Sequence, residues 1–169
     1  MIYVCCLEEM PRYVSALRPS HLVSVIAAGD MPRTPVSIPA ERHLRLSCDD
    51  IIEPMPGFRP PEHAHVEELI AFARSWDRAA PMLIHCLAGV SRSTAAALTV
   101  CAVHAEGREA DLARQLREVA PHANPNRRII ALADELLGCE GRLIAAVEAM
   151  GMPDFFIPAT RPLVELTLD

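Results

Sequence analysis

In the stretch Ile84-His85-Cys86-Leu87-Ala88-Gly89-Val90-Ser91-Arg92-Ser93-Thr94, a thiol and a guanidinium are separated by five residues. Five residues let the backbone turn once, so that successive N–H groups point inward and form a concavity for a phosphate or similar anion. A free thiol ionises near about 8.5, and inward N–H groups, a helix N-terminus and a nearby guanidinium all favour the thiolate, the nucleophilic form. Cys86 is therefore the candidate attacking group. Arg92 offers a planar fork of donors that can hold two equatorial phosphoryl oxygens at once. The backbone of Leu87, Ala88, Gly89, Val90, Ser91 and Arg92 is the candidate anion cradle, with Gly89 supplying a positive φ or a close backbone approach. The hydroxyl of Ser93 can donate to the sulfur when it leaves. His85 is expected to orient the loop.

Such a cradle needs a strand before it and a helix after it, and the flanking sequence supplies both. Pro81-Met82-Leu83-Ile84 is a short apolar run, and Ala95-Ala96-Ala97-Leu98-Thr99-Val100 is a run without Gly or Pro that suits a helix. The order is strand, loop, helix start.

His85-Cys86, five residues, then Arg92-Ser93 matches the signature HC(x)5R[ST]. In its form HCxxGxSRS it resembles the cysteine-based protein tyrosine phosphatases, in their small dual-specificity branch. The resemblance implies metal-free hydrolysis of a phosphomonoester through a phosphocysteine, with no cofactor. Transfer from an ester also needs a general acid on the leaving oxygen, and the same group as carboxylate can activate water. Similar phosphatases place an Asp for this at the end of an upstream strand. Arg42 to Cys48 alternates, with Leu44, Leu46 and Cys48 on one face and His43, Arg45 and Ser47 on the other, and it runs into Asp49-Asp50. Extending the alternation puts Asp50 on the core side, so Asp50 is the candidate acid and Asp49 its alternative. Two other readings of the motif remain: a related Cys-loop enzyme (arsenate reductase or sulfurtransferase), and a phosphate-binding module without turnover.

The chain has 169 residues, 51% hydrophobic and 22% charged, an ordinary globular composition for one domain. That domain is expected over 1–150, with an extended tail over 151–169. A formal net charge of -6 argues against nucleic acid or an anionic membrane as partner, and confines positive potential to the cradle. A phosphorylated protein or a small phosphomonoester is the expected partner, and oligomeric state is left open. Without a basic leader or a spanning apolar run, the expected location is the cytoplasm. The cysteines at 5, 6, 48, 86, 101 and 139 have no zinc spacing. They read as core thiols, with a reversible disulfide between Cys86 and Cys48, Cys5 or Cys6 as the alternative.

Met1–Leu7 and His21–Ala27 read as further strands, with a helix from about Glu8 to Leu17 between them. The segments 29–40 and 51–61 are Pro-rich loops that would set pocket depth. After Pro61-Glu62, apolar positions Val66, Leu69, Ile70, Ala73 and Trp76 recur at helical spacing, with His63 and His65 solvated. Helices over 108–119, 127–137 and to Met150 follow. Strands alternating with helices and then helices alone predict an α/β fold: a short, mostly parallel central sheet flanked by helices, phosphotyrosine-phosphatase-like, with a helical C-terminal half. The tail could pack on the domain, add an edge strand or bind a second copy.

Overall fold

The computed structural model describes residues 1–154 and 162–168. Its strands are β1 (Ile2–Cys6), β2 (His21–Ile26), β3 (His43–Ser47), β4 (Met82–Cys86) and β5 (Val164–Leu166). The helices are α1 (Met10–Leu17), α2 (His63–Ser75), α3 (Arg92–His104), α4 (Glu109–Val119), α5 (Arg127–Leu137) and α6 (Arg142–Ala149). One sheet forms in the order β3-β2-β4-β1-β5, parallel except for β5. The expected α/β architecture is thus present, and β4 lies at its centre.

Alternation along the strands divides the core. Ile2, Val4, Val23, Val25, Leu46, Met82 and Ile84 face one side and join the interior of α2, α3, α4, α5 and α6. Cys5, Leu22 and Leu83 face the other and form a smaller cluster with Met10 and Val14 of α1 and Ile38, against which the partly buried Tyr13 and Leu17 of α1 also pack. Helices cover both faces, but unequally. The stripe Val66, Leu69, Ile70, Ala73 and Trp76 is buried as its spacing requires. α3 is apolar all round and buried along Arg92–Ala102, which suits a helix enclosed between the sheet and its neighbours. β3 departs from the simple alternation: His43 is buried rather than solvent-facing, because Ser24 and Thr34 cover it with hydrogen bonds of 2.8 Å each.

Of the tail, residues 155–161 lie outside the described residues. Val164–Leu166 pairs antiparallel with β1, so Ile2 stands opposite Leu166, which is fully buried. The edge-strand alternative is the one observed for this segment. Because Leu166 contributes to the main core, Leu166→Ala should lower unfolding free energy by about 2–4 kcal/mol. Urea titration followed by the emission of buried Trp76 measures this, and an unchanged midpoint would mean that β5 is dispensable.

Candidate active site

Cys86 closes β4, and the next residues turn over the C-terminal edge of the sheet into α3, where ligands of open α/β folds bind. The turn is anchored from outside. Leu7 N–H donates to Leu87 C=O (3.3 Å), Asn124 N–H to Val90 C=O (3.0 Å) and Asn126 N–H to Ser91 C=O (3.2 Å). The Thr94 hydroxyl donates to the carbonyls of Val90 and Ser91 as well. With no cis peptide among the described residues, each bound carbonyl turns the following N–H the opposite way, so the amides of 88, 91 and 92 point away from these anchors. Gly89 has φ +74°, and a Cβ there would stand 3.0 Å from the carbonyl of Cys5 and the nitrogen of Cys6. Both the conformation and the space require glycine.

Inside the turn, Gly89 N–H donates to Cys86 Sγ at 3.2 Å, and Ser93 Oγ lies 3.1 Å from the same sulfur. Arg92 is buried, with Nη1 donating to the Cys48 carbonyl at 2.8 Å. Its Nε has no hydrogen-bond partner among the described residues; Asp50 Oδ2 lies 3.9 Å away. The two aspartates diverge. Asp49 accepts from Arg59 N–H at 2.7 Å and so closes the base of the 50–58 loop. Asp50 turns to the cradle, where Oδ1 accepts from Ser91 Oγ (2.7 Å) and Asn126 Nδ2 (2.9 Å). Beside them opens a cleft of about 490 Å³, with Ile52, Arg127 and Met152 on its walls.

Two features escape a sequence reading. Asn126 is one, joined to Asp50 across 76 positions. The other is a buried chain behind the nucleophile. His85 Nδ1 faces the Cys86 carbonyl (3.4 Å), His85 Nε2 faces Ser24 Oγ (2.6 Å), Ser24 faces His43 Nε2 (2.8 Å), and His43 Nδ1 faces Thr34 Oγ1 (2.8 Å). A carbonyl only accepts, so His85 carries its proton on Nδ1, and every later donor follows: Ser24 to His85, His43 to Ser24, Thr34 to His43. That order holds with both histidines neutral. Burial pushes each down to about 4, aided for His43 by Arg45. His63 and His65 serve α2: one meets Glu135, the other accepts the Glu62 N–H in a capping box. Cys5, Cys6 and Cys48 are free and buried, and burial holds the Cys48 thiol at about 12 and that of Cys5 higher still.

This arrangement was compared with known proteins. DUSP15 matches at 18% identity over 88% of this chain and 89% of its own, with a TM-score of 0.61. The chain has the fold of the dual-specificity phosphatases. The Yvh1 phosphatase domain from Chaetomium thermophilum follows at 21% identity, 82% and 92% coverage and a TM-score of 0.57. PTPMT1, solved in complex with PI(5)P, matches at 14% identity, 85% and 90% coverage and a TM-score of 0.55. No family model and no curated protein matches the sequence. At these identities the likeness is one of fold. Among the described residues, no helix is long and apolar enough to cross a membrane.

Two outcomes follow from the geometry. Gly89→Ala should cost about 1–3 kcal/mol in denaturant unfolding and abolish any chemistry at Cys86, because the turn must lift off β1. A variant with wild-type stability would refute the close approach. Acid should also weaken the fold. An unfolded histidine titrates near about 6.5, so between that value and about 4 the unfolded chain binds more protons at positions 85 and 43, and stability falls as pH falls. The limiting slope is about 1.4 kcal/mol per pH unit for each histidine. His21 and His104 shift in the same direction. Urea midpoints at pH 7 and pH 5 test it, and a midpoint that holds or rises at pH 5 contradicts the neutral chain.

Proposed function

We propose that the chain is a metal-independent phosphomonoesterase of the protein tyrosine and dual-specificity type, working through a phosphocysteine. The observation that carries this reading is the buried Arg92 Nε, which has no hydrogen-bond partner among the described residues and lies 3.9 Å from Asp50 Oδ2, and which a phosphoryl oxygen would satisfy. A buried donor left unmet costs about 1–3 kcal/mol, so a bound anion there stabilises the site.

In the first step Cys86 thiolate attacks phosphorus. The S–P bond forms as the P–O bond to the leaving group breaks, and Asp50, protonated, gives its proton to that oxygen. The backbone of 87–92 and the Arg92 guanidinium hold the three equatorial oxygens. In the second step water attacks phosphorus, Asp50 as carboxylate takes a proton from it, and the S–P bond breaks to release phosphate. Ser93, at 3.1 Å, donates to the departing sulfur. His85 fixes the cradle through the Cys86 carbonyl. The engagement of Asp49 with Arg59 supports Asp50 as the acid.

The substrate class is a phosphorylated protein or a small phosphomonoester. Phe58, half exposed on the 51–61 loop, is an aromatic group available to a substrate ring. Free thiols at all six cysteines suit a reducing compartment such as the cytoplasm. The domain reading, a catalytic unit over 1–150, places every site residue within it.

The test is hydrolysis of para-nitrophenyl phosphate with EDTA present. Wild type should turn over and Cys86→Ser should not. Asp50→Ala should lower kcat by about 10²–10³-fold, with Asp49→Ala within a few-fold of wild type. Turnover that survives Cys86→Ser would overturn the mechanism. Turnover indifferent to Asp50 would overturn its role as the acid, and a folded but inert wild type would favour sulfur transfer or a binding module.

A further inference from the structure

The side chain of Asn126 does two things at once, and its orientation is fixed by them. Its Oδ1 accepts from the N–H groups of Arg128 and Ile129, both at 3.1 Å, capping α5. An oxygen must occupy that position, so the other terminus is the amide nitrogen, which donates to Asp50 Oδ1 at 2.9 Å. Ser91 donates to that same oxygen at 2.7 Å. Oδ1 thus has two protons directed at it, leaving no room for one of its own. Oδ2, which lies 3.9 Å from Arg92 Nε on the cradle side, has no hydrogen-bond donor among the described contacts.

We infer that Asn126 is a positioning residue which, with Ser91, confines the transferable proton of Asp50 to Oδ2, the oxygen facing the scissile bond. This rests on the reading of Asp50 as general acid. The choice between the two carboxyl oxygens is otherwise nearly free, and half of the protonated population would present its hydrogen away from the leaving group. The α5 cap removes that choice, and because its backbone N–H also holds the Ser91 carbonyl, one residue sets both the acid and the rim of the cradle. The charged and titratable groups around Asp50 are Arg92 and Cys86 from the cradle, Asp49 and Cys48 from its own strand end, and Arg127 and Arg128 from α5.

The cap and the donation can be separated. Asn126→Asp and Asn126→Ser both keep an oxygen for the α5 amides, while neither presents the amide donor. In Asn126→Asp the new carboxylate would share the proton of Asp50 on the Oδ1 side, the wrong side. The measurement is kcat/KM against pH for phenyl phosphate, whose leaving group needs the acid, and for para-nitrophenyl phosphate, which needs it less. For Asn126→Asp the phenyl phosphate value should fall about 10-fold more than the para-nitrophenyl value. The alkaline limb of its profile should move up by about one pH unit, since a lost donor and an added like charge both disfavour the ionised acid. Asn126→Ser should show the same leaving-group effect with a smaller movement of the limb. If Asp50→Ala steepens the leaving-group dependence but both Asn126 variants behave as wild type, the inference fails alone. If Asp50→Ala changes nothing, the general-acid reading fails and takes the inference with it.

Discussion

The contact on which the rest of the site depends is the seating of the 87–91 turn on the end of β1. Gly89 rests so close to the Cys5–Cys6 backbone that no side chain fits, and Leu87 takes the Leu7 amide. A turn held against a neighbouring strand cannot relax when its inner amides lack a ligand. The entropic cost of ordering the turn is thereby met during folding. β4 and β1 are paired in register up to Cys6 opposite Cys86, so the position of the thiol is set by the sheet itself.

Around that fixed turn the polar groups form two independent shells. Behind it, the line from Thr34 through His43, Ser24 and His85 ends on the Cys86 carbonyl and fixes tautomers without any charge. In front of it, the charge lies on Asp50, which is exposed, and on Arg92, which is buried beside it, with the neutral side chains of Ser91 and Asn126 holding Asp50. The rear line is buried and uncharged, while the front places one buried cation, Arg92, beside the exposed carboxylate of Asp50. The separation lets the rear shell hold geometry while the front shell changes protonation.

Much of this was legible in the residues, for local reasons. The strand, turn and helix around Cys86 follow from a continuous apolar run, a five-residue gap and a helix-forming run, and the α2 stripe follows from spacing alone. The choice between Asp49 and Asp50 was harder, because alternation carries no information past the end of β3; it is the Arg59 amide, ten positions away, that turns Asp49 aside. Asn126 lay beyond reach, since an Asn after a Pro reads as a helix cap whether or not its nitrogen touches a distant carboxylate. Alternation put His43 on the face of Arg45 and Ser47 without fixing its burial, and only the fold brings Ser24 and Thr34 over it. Short-range pattern finds elements and the turn that carries the thiol; partners recruited across the chain leave no such trace.

The sheet order also bears on how the molecule reaches its native state. β1, at the start of the chain, is flanked by β4 on one side and β5 on the other, so Ile2 pairs with Met82 and with Leu166. Both closures span long stretches of sequence, which slows folding relative to a locally paired sheet. On a ribosome, β1 must wait for β4, and its second edge stays open until residues 164–166 have emerged. During that interval the chain presents an unpaired apolar strand, the kind of edge that recruits other chains. The short Val164-Glu165-Leu166 therefore acts as a late hem, sealing against aggregation a sheet whose thiol-bearing corner comes from residues made earlier.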